Sequence, residues 1–113
     1  MSKLMRKEQI LIPQVHVAKG LKEKMVGLLG QTELASDYAL WLRPCQSIHT
    51  FFMKFPIDVL FVDKNLKVVS LFHNVPSKRI LFGGLKSHSV FEMKAHLLNS
   101  FHLKKGEPLY VSH

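Results

Sequence analysis

A single cysteine, Cys45, occurs in the 113 residues of the chain. It has no partner for an internal disulfide, so stability must come from burial, and a reducing compartment is the natural setting. No apolar stretch approaches the roughly 20 residues of a membrane-spanning helix. The basic start Met1-Ser2-Lys3-Leu4-Met5-Arg6-Lys7-Glu8 is followed only by Ile10-Leu11-Ile12 before Pro13, too short for a signal-peptide core. The cytoplasm is therefore the expected location. Cys-x-x-Cys, His-x-His and Glu-x-x-His spacings are all missing and the seven histidines are scattered, so neither a metal nor a cofactor is expected. No repeat, low-complexity tract or linker interrupts the chain. Acids are scarce, with 8 Asp+Glu against 16 Lys+Arg and a formal net charge of +8. Such an excess attracts nucleic acid or an anionic surface. The basic residues are nevertheless spread along the chain in runs of no more than two, and a solvated basic surface is the simpler reading.

What is present suits one globular domain over residues 1–113, with 1–7 as a flexible lead-in. Apolar residues make up 47% and charged residues 21%, enough for a core and too few charges for disorder. Ile10, Ile12, Val15 and Val17 suggest a strand interrupted at Pro13. Leu21, Met25, Leu28 and Leu29 share one helical face, predicting a helix over 19–29 that ends at Gly30. Tyr38–Leu42, Ile48–Phe55, Ile57–Val62 and Leu66–Phe72 read as strands, the last two joined by a turn at Asp63-Lys64-Asn65. A loop follows from Val75 to Gly84, with a short apolar piece at Ile80–Phe82. Ser89–Met93 reads as a strand, 96–103 as a short helix and Leu109–Val111 as a closing strand. This pattern predicts a mainly β chain, a small β-sandwich or barrel-like domain with one or two short α-helices.

Polar chemistry concentrates in Arg43-Pro44-Cys45-Gln46-Ser47-Ile48-His49-Thr50-Phe51-Phe52-Met53-Lys54-Phe55-Pro56-Ile57-Asp58. A segment serving only as core would not carry so many polar groups. As a nucleophile, Cys45 needs a base; His49 is the nearest, with Asp58 to orient it and Arg43 to stabilise a thiolate. In extended chain Cys45 and His49 lie about 13 Å apart, so that pair requires a turn. Otherwise Cys45 is a small buried apolar group. His49 reads equally as a pocket residue and as a core histidine with one hydrogen bond. Phe51, Phe52 and Phe55 with Lys54 offer stacking surface for single-stranded nucleic acid, but no RNA-recognition signature accompanies them. Asp58, at the head of an apolar strand, reads as a structural tether.

Three stretches resemble the bacterial and archaeal family known as domain of unknown function 192. They are Met25–Gly30, Pro44 through Asp58 to Asp63, and Val90–Ala95 with Leu103–Glu107 beyond it. The resemblance spans roughly residues 10–111. It implies a compact, mainly β fold of sandwich type, and no reaction, cofactor or ligand. Family members often carry glycine where this chain has His96, and aspartate where it has Glu107. Some members look exported, behind a leader or lipid anchor that has no counterpart here.

The expectation is thus a ligand- or partner-binding module with its site around Arg43–Asp58: Arg43, Cys45, Ser47, His49, Thr50, Phe52, Lys54 and Asp58. Its partner would be a small ligand or a protein. One alternative is a Cys45-dependent enzyme with His49 as base and Asp58 behind it. Another is a nucleic-acid or anionic-surface binder working through net charge.

Overall fold

A computed structural model describes residues 2–18, 34–51 and 53–113. Among these residues nine strands form the frame: β1 (Ser2–Arg6), β2 (Gln9–Ala18), β3 (Tyr38–Leu42), β4 (Ser47–His49), β5 (Ile57–Val62), β6 (Val68–Val75), β7 (Ile80–Phe82), β8 (Ser89–Lys94) and β9 (Tyr110–Ser112). One short helix, α1 (Leu97–Phe101), lies between β8 and β9. The helix expected at 19–29 lies outside the described residues. Seven strands make one sheet in the order β6-β5-β8-β3-β2-β1-β9, and β4 with β7 makes a separate ribbon. All described pairings are antiparallel except β2 with β3.

β5 and the first five residues of β8 are buried throughout, because both faces of the sheet centre are covered. On one face Trp41, Leu60, Phe91 and Met93 pack with Leu98 and Phe101 of α1. On the other, Leu40, Leu42, Val59, Phe61 and Val90 pack with Ile48 of the ribbon, Met53 and Leu34. The sheet is therefore filled from both sides, as the mainly β, sandwich-like expectation requires. Its ends also approach each other without a closed ladder. Lys67 bridges Pro108. Val68 N–H donates to Glu107 C=O at 3.0 Å, Gly106 N–H to Val68 C=O at 2.7 Å and Leu109 N–H to Leu66 C=O at 3.1 Å.

Several elements depart from the sequence reading. Ser2–Arg6, expected to be a flexible lead-in, is an inner strand held by β2 and β9. Pro13 does not break β2. The β1–β2 register slips between Ser2↔Val15 and Leu4↔Ile12, and pairing with β3 begins only at Gln14. Pro13 thus sits in a bulge, where its missing N–H costs no ladder bond. The strand expected over 48–55 ends at His49, because Thr50 turns the chain: Met53 N–H reaches Thr50 C=O at 3.2 Å. Ile80–Phe82, expected within a loop, is strand β7.

Candidate functional site

The segment from Arg43 to Phe55 crosses the second face of the sheet and carries β4. Arg43 follows β3 and lays its guanidinium 4.2 Å from the Trp41 ring centroid. Trp41 is itself held: its indole N–H donates to Ser89 Oγ at 2.9 Å, and its ring stacks on Phe91 with centroids 5.1 Å apart. After a cis Arg43–Pro44 peptide, Cys45 N–H donates to His88 C=O at 2.7 Å. The Cys45 thiol is half-buried and donates to Ser47 C=O at 3.1 Å.

The ribbon pairs Ser47 with Phe82, Ile48 with Leu81 and His49 with Ile80. Side chains alternate across a strand, so Ile48 and Leu81 face the core and the other four face away. Burial agrees: Ile48 is 6% exposed, whereas Ile80 is 73% and Phe82 55% exposed. Phe51 and Leu85, at opposite ends of the ribbon, are exposed as well. His49 is half-buried; its ring lies 5.6 Å from that of Phe51, and its Nδ1 is buried with no hydrogen-bond partner.

Two buried polar residues, Thr50 in the segment and Asp58 beyond it, bond to the surrounding scaffold. Thr50 is 1% exposed. Its hydroxyl donates to Pro76 C=O at 2.7 Å and accepts from Arg79 N–H at 2.9 Å, while its own N–H donates to Arg79 C=O at 2.8 Å. These bonds tie the turn after β4 to the approach of β7. Asp58 is fully buried on β5. One carboxylate oxygen accepts Asn74 N–H and the other Leu98 N–H, both at 2.8 Å. The second bond caps α1 from outside the helix, on the face opposite the ribbon.

No hydrogen bond joins any two of Cys45, His49 and Asp58 among the described residues, and both oxygens of Asp58 serve backbone groups. No group of three or more His, Cys, Asp or Glu among the described residues could hold a metal ion. Of the remaining candidates, Ser47 on β4 and Lys54 in the turn beyond it are exposed, and Arg43, also exposed, lies over Trp41 on the α1 face of the sheet. Phe52 lies outside the described residues.

A shallow cleft opens at each end of the ribbon. One, of about 350 Å³, is lined by Met53, Lys54, Phe55, Pro56, Asn74, Pro76 and Ser77. The other, of about 380 Å³, involves Gln46 and Leu85 together with Asp63, Lys64 and Lys86. The charge of this part of the sequence is one-sided. Between Arg43 and Phe91 the sequence has seven cationic residues, Arg43, Lys54, Lys64, Lys67, Lys78, Arg79 and Lys86, and only two acids, Asp58 and Asp63. All seven cations are exposed. Asp58 is buried, and Asp63 Oδ1 accepts the N–H groups of Asn65 at 2.8 Å and Lys67 at 2.9 Å.

The model of an uncharacterized ACR family, DUF192, matches residues 3–111. The chain belongs to the DUF192 family. Two crystal structures share its fold. One, a protein of unknown function from Novosphingobium aromaticivorans DSM 12444, has a TM-score of 0.74 at 20% identity, covering 85% of this chain and 73% of that one. The other, described as a candidate transcription regulator from Sinorhizobium meliloti 1021, has a TM-score of 0.78 at 15% identity, covering 97% of this chain and 91% of that one. No curated protein matches the chain. Identities this low speak for the DUF192 fold alone.

The fold also exposes features that the sequence reading passed over. Ile80 and Phe82 were absorbed into a loop, although their alternation about Leu81 is the signal of a strand with one wet face. Glu92 falls within the Val90–Ala95 stretch. It is fully buried on β8, opposite Leu40 and Val59. Tyr38, at the head of β3, is pushed above its ordinary value of 10.0, first by burial and then by the negative charge of Glu92.

Proposed function

We propose that this protein is a binding module whose site is the outer face of the β4–β7 ribbon, together with the Arg43–Phe55 segment that carries β4. The observation behind this reading is the exposed apolar pair Ile80 and Phe82, standing beside Ser47 and His49, with exposed Lys78 and Arg79 leading into β7 and lysines in the two clefts. Large apolar side chains grouped at the surface and rimmed by polar ones are characteristic of recognition surfaces. Arg43, Ser47, His49 and Lys54 act at the surface. Cys45 anchors the chain entering β4, and Thr50 and Asp58 keep the scaffold in register. The ligand or partner class that fits is apolar with negative charge. A cytoplasmic setting goes with this reading, since the one thiol has no disulfide to form within the chain. No helix among the described residues is long and apolar enough to cross a membrane.

The test uses 8-anilinonaphthalene-1-sulfonate, an aromatic anion, as the probe. The folded protein binds it with enhanced fluorescence. The Ile80→Ser/Phe82→Ser double variant loses at least about tenfold in affinity, the scale of removing two anchors at an interface centre. Its urea midpoint stays that of the parent, because both side chains already face water. Equal dye binding by parent and variant would overturn the proposal.

A further inference from the structure

The ribbon has an open edge as well as an exposed face. Gly83 N–H donates to Gln46 C=O and Thr50 N–H to Arg79 C=O, each at 2.8 Å. In an antiparallel ladder the mutually bonded pairs recur at every second residue. The pairs Gln46/Gly83, Ile48/Leu81 and Thr50/Arg79 thus spend their backbone groups inside the ribbon. Ile80 and Phe82 turn theirs outward. Among the described residues β7 has no strand neighbour other than β4, and none takes up those outward groups. The corresponding edge of β4 is partly used, because Ser47 C=O already accepts the Cys45 thiol. Native edge strands are usually blunted by charge, proline or a covering loop. β7 instead carries two exposed apolar side chains, with exposed Leu85 following it.

Charge selects the occupant. The clefts beyond the two ends of the ribbon hold Lys54 on one side and Lys64 and Lys86 on the other. Lys78 and Arg79 enter β7 itself, and both acids of the Arg43–Phe91 region are engaged with backbone N–H groups. A second copy docking β7 on β7 would press two such cationic surfaces together. An extended peptide with apolar side chains at alternate positions and acids at its ends meets both needs. Its backbone takes the open groups of Ile80 and Phe82, its apolar side chains lie along theirs, and its carboxylates reach the lysines.

We infer that the β7 edge receives an extended acidic peptide as an added strand. The inference rests on the ribbon being the binding face, and it adds the chemistry and geometry of the partner. The test uses the full chain and a fluorescent, end-blocked peptide, Asp-Asp-Val-Thr-Val-Thr-Val-Asp-Asp. Binding slows hydrogen exchange at the Ile80 and Phe82 amides. Replacing the aspartates with lysines weakens binding at least about tenfold. In a strand only alternate N–H groups face one neighbour, so of two peptides N-methylated at the valines or at the threonines, one loses as much and the other does not. Ile80→Pro removes one outward N–H without breaking a ribbon bond and lowers affinity about tenfold. Phe82→Ser, which keeps every backbone group, does the same if the proline variant fails to fold. Equal binding by the parent peptide and both N-methylated forms would overturn strand addition while leaving the ribbon face as the site. No binding by any peptide would also overturn it, and the dye result then decides whether the ribbon reading survives. Displacement of the peptide by oligothymidylate with a steep salt slope would assign the surface to nucleic acid instead.

Discussion

Asp58 reads in sequence as a structural tether as well as a candidate orienter, and in the fold it is fully buried. Its two oxygens close two backbone N–H groups, those of Asn74 and Leu98. Each buried donor left open costs about 1–3 kcal/mol, so Asp58→Ala should destabilise the fold by about 2–5 kcal/mol in urea titration. A loss below about 1 kcal/mol would show that water or another group replaces the carboxylate. Cys45 gives a companion test. Its thiol is half-buried and donates to Ser47 C=O, away from any bond to His49. His49→Ala should therefore leave the iodoacetamide rate of the folded protein within about twofold. Fast labelling that depends on His49 would instead support thiol chemistry. Tyr38 supplies a pH signature. Its folded value lies above 10.0, through burial first and Glu92 second, so the protonated form is favoured in the folded state. The associated stability is complete below that value and falls away as pH rises through the raised one. Urea midpoints taken from about pH 9 to about pH 11 should decline, and Tyr38→Phe should remove part of the decline.

Among the elements, α1 is the least supported by its own sequence. It has five residues, and His96 and His102 on either side are left-handed, with φ of 74° and 54°. Its first turn is capped by Asp58 from another strand. A left-handed non-glycine residue costs roughly 1–2 kcal/mol, and glycine does not pay it. His96→Gly should thus raise stability by about 1 kcal/mol, read as a higher thermal midpoint. A lower midpoint would mean that the His96 side chain makes a contact worth more than the strain. The strands that could be read from sequence were those whose burial is decided locally. β5 and β8 are short apolar runs between turn residues, and the sheet buries them on both faces. Less legible were elements whose limits are set at a distance. Thr50 ends β4 through bonds to Pro76 and Arg79. β1 is ordered by two partners from opposite ends of the chain. Pro13 is tolerated because a bulge falls at that position. The candidate segment was visible as polar residues in an apolar block. Its division into surface and scaffold was not, because Asp58 and Ser47 differ in what surrounds them rather than in their sequence context.

At the scale of the molecule, the cations are evenly spread in sequence but the acids are not. Folding places Lys54, Lys64 and Lys86 in the two clefts and Lys78 and Arg79 at the start of β7, while Asp58 and Asp63 accept backbone N–H groups. The result is an apolar strip with cations toward its ends, over a sheet whose other face packs against α1. Such a surface favours apolar anions and is sensitive to salt. The central claim is that binding occurs on this strip and nowhere else on the described surface. Amide-resolved NMR titration of the folded chain with 8-anilinonaphthalene-1-sulfonate tests it most directly. The account predicts shift changes concentrated at Cys45–Phe51 and Arg79–Lys86, fading as salt is raised. Shifts centred on α1 or on the β1–β9 end of the sheet, with the ribbon amides unmoved, would contradict it.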